Sequence, residues 1–153
     1  MAEMRWAGFT LNFAELEIHE YLSGQPRGTL DAMLKNSTNA PLASSCGRLF
    51  DAVAATLGIC RNRQSYEGEA AARLEDIVDD VALREEDDTL AYPFTIPNLN
   101  GSNLPYIEPF SMWNALLGDL ALNISPAVIA ARFHRGLAKA IANMTRMLAL
   151  SKE

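Results

Sequence analysis

One predicted helix, over residues 44–60, carries a single carboxylate on a face that is otherwise nearly bare of side-chain bulk. That face consists of Gly47, Asp51, Ala54, Ala55 and Gly58. Each glycine inside a helix costs about 1 kcal/mol relative to alanine, so we expect something to approach the backbone closely here. Two explanations fit this pattern, which does not decide between them. Either a bound ligand donates hydroxyl hydrogen bonds to Asp51, or another helix packs tightly against this face.

The other side of this helix is apolar and is expected to face a core. Its members are Leu49, Phe50, Val53, Leu57 and Cys60. The two cysteines, Cys46 and Cys60, are expected on this same face as buried, reduced thiols, because the helix between them holds them too far apart for a disulfide. Reduced cysteines point to a reducing cytoplasm.

The remaining pattern is mainly helical. Helices are predicted over residues 12–22, 29–35 and 66–81, the last with Ala70, Leu74, Ile77, Val78 and Val81 facing a core. Pro109 is expected to open a further helix. A final helix, capped by Asn123 or Ser125, should run to about Leu150 with Ile129, Phe133, Leu137, Ile141, Met144 and Leu148 as one apolar stripe.

A short β-hairpin is predicted between these helical parts. Residues 90–96 alternate aromatic and apolar side chains, residues 98–103 supply turn chemistry, and residues 104–107 form the return strand. The prolines confine it to a sheet edge. Residues 85–88, four adjacent carboxylates, are expected to form a solvated turn because they lack the glycine spacing of a metal loop.

Composition excludes several function classes. The net charge of −6 argues against nucleic acid as a partner, and the absence of an 18-residue apolar run argues against a membrane span. Residues 1–10 show no secretory signal. The sequence contains neither of the two common phosphate-binding loop motifs. It also contains no paired histidine or paired cysteine motif for zinc, so no metal ligands are predicted.

Several motifs resemble the HypF carbamoyltransferase family of [NiFe]-hydrogenase maturation. They lie at residues 39–41, 44–55, 66–71, 74–75, 129–134 and 137–138. Together with the predicted hairpin and the helix around residues 116–120, the similarity spans about residues 36–145. The resemblance implies one helical domain over residues 1–153, the helical part of an actin-like ATPase subdomain similar to TsaD.

The resemblance also implies a nucleotide site. Residues 47–52 are similar to the family segment that carries a ribose-binding aspartate, which makes Asp51 the ribose acceptor beside Gly47. Residues 66–69 are similar to a second segment, which places Gly68 or Glu69 against the nucleoside. Glu69 stands where the family has glycine. No catalytic residue is implied in this chain.

The implied reaction belongs to a larger enzyme. It would use ATP and carbamoyl phosphate to make carbamoyl-adenylate, and then transfer the carbamoyl group to the C-terminal cysteine of HypE. The resemblance places the metal ligands and the glycine-rich phosphate segment outside this chain. We therefore expect an internal fragment, inactive alone, whose partners are HypE and the rest of HypF.

A different class of function also fits the pattern. The chain would then be a structural or oligomerisation module, which buries its apolar helix faces against the rest of the protein or a second copy.

Overall fold

The computed structural model describes residues 12–38 and 45–150, and they confirm a mainly helical chain. The fold divides between Asp76 and Ile77 into two compact units, while the single domain over residues 1–153 stays a prediction. The interpretation of residues 1–10, the family motif at 39–41 and the first residue of the helix predicted over 44–60 lie outside the described residues.

Four helices of the first unit lie wholly within the described residues. They are α1 (Glu17–Ser23), α2 (Arg27–Lys35), α3 (Cys46–Thr56) and α4 (Glu69–Asp76). The helix predicted over residues 12–22 is interrupted by a turn at residues 14–16. Helices α3 and α4 pack against each other, and their core consists of Val53, Ala54, Ala70 and Leu74.

Helix α3 ends four residues earlier than predicted, and Gly58 explains why. Gly58 has a φ of +83°. Its N–H donates to Ala55 O (3.1 Å), and the Ile59 N–H donates to Ala54 O (2.8 Å). This pair of bonds is the Schellman motif that closes many helices. Gly58 therefore serves helix termination, and the prediction that it lies inside the helix is wrong.

Arg61 ties the end of α3 to α1. Its Nε donates to Ala55 O (2.8 Å), which satisfies a carbonyl of the last helical turn. The same guanidinium donates to Glu17 Oε2 (2.7 Å) and lies 4.8 Å from the centre of the Tyr21 ring. The hydrogen bond from Arg61 lowers the pKa of Glu17 below its ordinary value.

The helix predicted over residues 66–81 is two helices, α4 and α5 (Asp80–Glu85). Asp79 causes the break, because its carboxylate accepts from the Ala82 N–H (2.7 Å) and so caps a new helix. Its own N–H donates to Ala127 O. As a result Val81, predicted to face the core, is 63% exposed.

The second unit is built around α7 (Pro126–Leu150), with α5 and α6 (Phe110–Ala121) packed against it. Ser125 is the cap, since its Oγ accepts from the Val128 N–H (3.4 Å). Asn123 instead closes α6 in a left-handed conformation. The core contains Met112, Leu116, Ile129, Phe133 and Leu137, whereas the predicted stripe becomes exposed at Ile141 and Leu148.

The segment predicted as a hairpin folds back on itself, but it forms no regular strand among the described residues. Its first arm pairs through residues 95–99 and not along the predicted strand 90–96. Two isolated antiparallel bridges join Thr95 to Glu108 and Asn98 to Pro105. Prolines at 93, 97 and 105 lack the N–H that a continuous ladder needs. We call residues 91–108 the hairpin segment.

The hairpin segment begins where its backbone crosses α7 at very short range. A Cβ built on Gly136 would lie 2.9 Å from Tyr92 N and closer still to Tyr92 O. The Tyr92 N–H donates to Arg132 O (3.2 Å), and the Tyr92 side chain is buried. Only glycine at 136 permits this crossing.

An ion-pair network fixes the same crossing. Arg132 Nη1 donates to Asp119 Oδ2 (2.7 Å), and Arg132 Nε donates to Glu86 Oε2 (3.0 Å). The Tyr92 hydroxyl also donates to Asp119 Oδ2 (2.7 Å). Burial, followed by the hydrogen bond to Asp119, raises the pKa of Tyr92 well above its ordinary value.

The acidic run therefore differs in part from the solvated turn that was expected. Glu86 is half-buried between Arg132 and Arg135, and Asp88 pairs with Arg135 and Lys139. Of the four carboxylates only Glu86 turns inward, while Glu85, Asp87 and Asp88 stay exposed, as the expected solvated turn requires. No described helix has the length and apolar character needed to cross a membrane.

Gly136→Ala should lower the free energy of unfolding by about 1–3 kcal/mol, because the added methyl meets backbone atoms that cannot move aside. Gly118→Ala is the matched control, since a Cβ there meets nothing within 4 Å. In the middle of α6 it should stabilise by about 0.5–1 kcal/mol. Urea unfolding measures both, and equal effects of the two changes would contradict the close crossing.

Candidate functional site

The first turns of α3 carry two of the four predicted site residues. Gly47 and Asp51 lie four residues apart, on the same face of the helix. Gly47 is exposed, and a Cβ built on it would have only Ser45 Oγ nearby, at 3.4 Å. Packing within the described chain thus does not require glycine at 47, which leaves room for an external group.

Asp51 holds its carboxylate at the edge of this face. Its Oδ2 accepts from Arg48 Nη1 (3.1 Å), and its side chain is 23% exposed against 69% for Arg48. Within the described chain no donor reaches Oδ1. An exposed pair of this kind contributes at most about 1 kcal/mol, so a ligand hydroxyl can compete for the carboxylate at small cost.

The other two predicted residues, at the start of α4, differ sharply from each other. Gly68 is exposed, has a φ of +86° and has no atom within 4 Å of a built Cβ. Glu69 is buried. Its carboxylate accepts from the Ser65 N–H and from Arg73 (2.7 Å), and first the bond from Ser65, then Arg73, lowers its pKa.

The small-residue face of α3 has two uses along its length. Ala54 is fully buried and belongs to the core that α3 forms with α4. Asp51 and Gly47, one and two turns earlier, keep access to solvent. Helix packing therefore explains the small residues at the C-terminal end of this face. At its N-terminal end the face is open to a ligand.

Two hydrogen-bond partners of these residues were not predicted from the sequence, Arg48 for Asp51 and Ser65 for Glu69. The i,i+3 spacing of Arg48 and Asp51 is a recognised signal for an ion pair on a helix. A carboxylate in the first turn of a helix, as in Glu69, commonly reaches back to a preceding N–H, and here that donor is Ser65.

The cysteines and the acidic groups add no metal site. Cys46 and Cys60 are free thiols, as predicted, but Cys46 is exposed and Cys60 lies beyond the end of α3. The expected shared buried face is therefore wrong. No cluster of three or more potential metal-binding side chains occurs within residues 12–38 and 45–150.

Comparison with known proteins now identifies the family. Residues 3–153 match the family described as "Carbamoyltransferase, Kae1-like Domain, second subdomain". The chain belongs to this HypF carbamoyltransferase family. The carbamoyltransferase HypF of Rhodobacter capsulatus is 40% identical over 123 residues, which cover 80% of this chain and 14% of the relative.

Shorter matches agree. Carbamoyltransferase HypF of Rhizobium leguminosarum bv. viciae is 51% identical over 49 residues, which are 32% of this chain and 6% of that protein. HypF2 of Cupriavidus necator is 44% identical over 64 residues, 41% of this chain and 8% of the relative. The chain thus spans a small part of the length of its curated relatives. No solved structure matches it.

Glu69→Gln should destabilise the protein at neutral pH, because the neutral amide interacts less strongly with Arg73 and the Ser65 N–H. A carboxyl whose pKa is lowered by folding contributes stability above its ordinary value of 4.5, and loses it as the pH falls through the lowered pKa. The difference between wild type and variant should therefore be full at pH 7 and shrink below about pH 4.5.

Urea unfolding at a series of pH values measures this difference. The exposed Glu67→Gln is the control, for which we expect little change at any pH. A Glu69→Gln effect that is the same at pH 3 and pH 7 would contradict the assigned role of the carboxylate.

Proposed function

We propose that this chain supplies one wall of the nucleotide site of a HypF-type carbamoyltransferase. Asp51 would accept hydrogen bonds from ribose hydroxyls. Gly47 and Gly68 would let the nucleoside approach the N-terminal ends of α3 and α4. The observation that carries the proposal is the accessible Asp51 carboxylate, with one oxygen uncommitted, beside a glycine that internal packing does not need.

The chemistry of the site agrees with a sugar ligand. A carboxylate that accepts hydroxyl hydrogen bonds is a common ribose-binding group, and glycine permits close approach of a flat base to a backbone. Glu69 does not fit this role, because its carboxylate is buried and both of its partners lie in the same unit. We therefore assign Glu69 to holding the start of α4.

In the complete enzyme the nucleotide would carry the group to be transferred. Hydrolysis of carbamoyl phosphate would give carbamate and phosphate, and a carbamate oxygen would then displace pyrophosphate from the α-phosphorus of ATP to give carbamoyl-adenylate. The thiol of the C-terminal cysteine of HypE would attack the carbamoyl carbon of this adenylate. The bond from that carbon to the phosphate oxygen would break, so AMP leaves and the thiol proton is lost. The residues of this chain would bind and orient the nucleoside and take no proton.

A purely structural role is the second candidate. It is favoured by the full burial of Ala54 and by the use of Gly58 to end α3, because both remove part of the small-residue face from ligand binding. The two candidates differ in whether Asp51 affects nucleotide binding.

Asp51→Ala in the complete polypeptide that carries this chain should weaken ATP and AMP binding by about 10- to 100-fold. This corresponds to the loss of roughly 1.5–3 kcal/mol from hydrogen bonds to a charged acceptor. Isothermal titration calorimetry measures the affinity, and thermal unfolding confirms that the variant is folded.

Asp76→Ala is the matched control, since Asp76 is an exposed carboxylate at the end of α4 and should leave affinity unchanged. Equal affinities of wild type and Asp51→Ala would overturn the nucleotide-wall proposal in favour of the structural role.

A further inference from the structure

The hairpin segment is unusual in its lack of charge. Residues 91–107 are seventeen consecutive positions without aspartate, glutamate, lysine, arginine or histidine, in a chain of which 21% is charged. Three or four charges would be expected in such a stretch. An exposed loop normally carries them, so this composition calls for an explanation.

The pairing of the segment separates its side chains into two faces. The Leu99 N–H donates to Leu104 O (2.8 Å), and the Tyr106 N–H donates to Pro97 O (2.9 Å). These bonds share one register with the bridge from Thr95 to Glu108. Because side chains alternate along each arm, the paired residues lie on a common face, which we call the outer face: Thr95, Pro97, Leu99, Leu104, Tyr106 and, at its edge, Glu108.

The outer face is unusual in its polarity. On it Leu99 is 52%, Leu104 63% and Tyr106 41% exposed. On the other face Phe94, Ile96, Pro105 and Ile107 are half-buried, and Asn98, nearest the turn, is exposed. A ribbon with one face on its own core usually presents polar residues to solvent, yet here the solvent side is apolar as well.

The segment is also held in place before any partner arrives. Tyr92 anchors its start to α7 through Arg132 O and to α6 through Asp119. At the other end the Glu108 N–H donates to Thr95 O (2.8 Å), and Glu108 Oε2 accepts from the Phe110 N–H (3.0 Å). A pre-organised surface loses less conformational entropy on association than a free loop.

From these observations we propose that the outer face is the surface on which this subdomain docks a companion subdomain of the same Kae1-like domain. Interface centres are poor in charged residues and are often built around an aromatic side chain. Here the exposed centre of the face is Leu99, Leu104 and Tyr106, and the one charged residue, Glu108, lies at the edge. The family description calls the matched region a second subdomain, so a partner subdomain is part of the family's architecture.

The chemistry of the face defines its partner. It fits an uncharged, apolar protein surface that offers an acceptor to the Tyr106 hydroxyl. The exposed apolar residues at the end of α7 are a poorer candidate, because Lys139 and Arg146 interrupt them. The proposal rests on family membership and is independent of the role of Asp51.

Photo-cross-linking tests the proposal. The complete natural polypeptide that contains residues 1–153 is prepared with p-benzoylphenylalanine in place of Leu104, irradiated, and analysed by peptide mass spectrometry. Leu34 is the matched control position, since it is equally exposed, at 62%, and lies on α2 beside Lys35. Both positions are on the surface, and circular dichroism verifies the fold.

The proposal predicts that residue 104 cross-links to one defined region outside residues 1–153 of the same polypeptide, at several times the yield from position 34. Cross-links confined to residues 1–153, cross-links between two copies, or a yield no higher than from position 34 would each overturn it.

Discussion

The second unit depends on one guanidinium that is shared between two carboxylates. Arg132 lies on α7, Asp119 on α6 and Glu86 just after α5, so a single side chain joins three helical elements. All three side chains are mostly buried, with 12–16% of their surface exposed. Removal of one partner from such a group leaves uncompensated charge, which is strongly destabilising.

The same constraint shapes the chain around it. The Tyr92 hydroxyl takes part through Asp119, and this sets the path of the hairpin segment across α7. That path approaches the helix so closely that position 136 must be glycine. The buried ionic group and the close crossing thus specify one arrangement of the loop, and apolar packing alone would allow several.

Much of this fold can be predicted from the spacing of apolar residues. The last helix begins where the sequence indicates, and Ser125 caps it. The errors at α3 and α4 share a physical origin, which is a single residue that ends or restarts a helix within an apolar pattern. Asp79 caps a new helix inside an apolar pattern, and Gly58 ends a helix that the apolar spacing would continue. The Arg132 network joins residues up to 46 positions apart, and no local pattern contains that information.

The site stays a proposal, and what can be compared with the sequence is where its candidate residues lie. The resemblance to the family singled out Asp51 and Gly47, and the structure places both on one accessible face. The choice between Gly68 and Glu69 could not be made from the sequence. It depends on the direction of one side chain, which turns inward to the Ser65 N–H and Arg73.

The most direct measurement compares the affinity of the complete polypeptide for AMP with its affinity for 2′,3′-dideoxy-AMP. The two nucleotides share base and phosphate, and they differ only in the hydroxyls that Asp51 would bind. The account predicts about 10-fold or more weaker binding of the dideoxy compound, because an unpaired carboxylate remains. Equal affinities for the two nucleotides would contradict the assignment of Asp51 as the ribose acceptor.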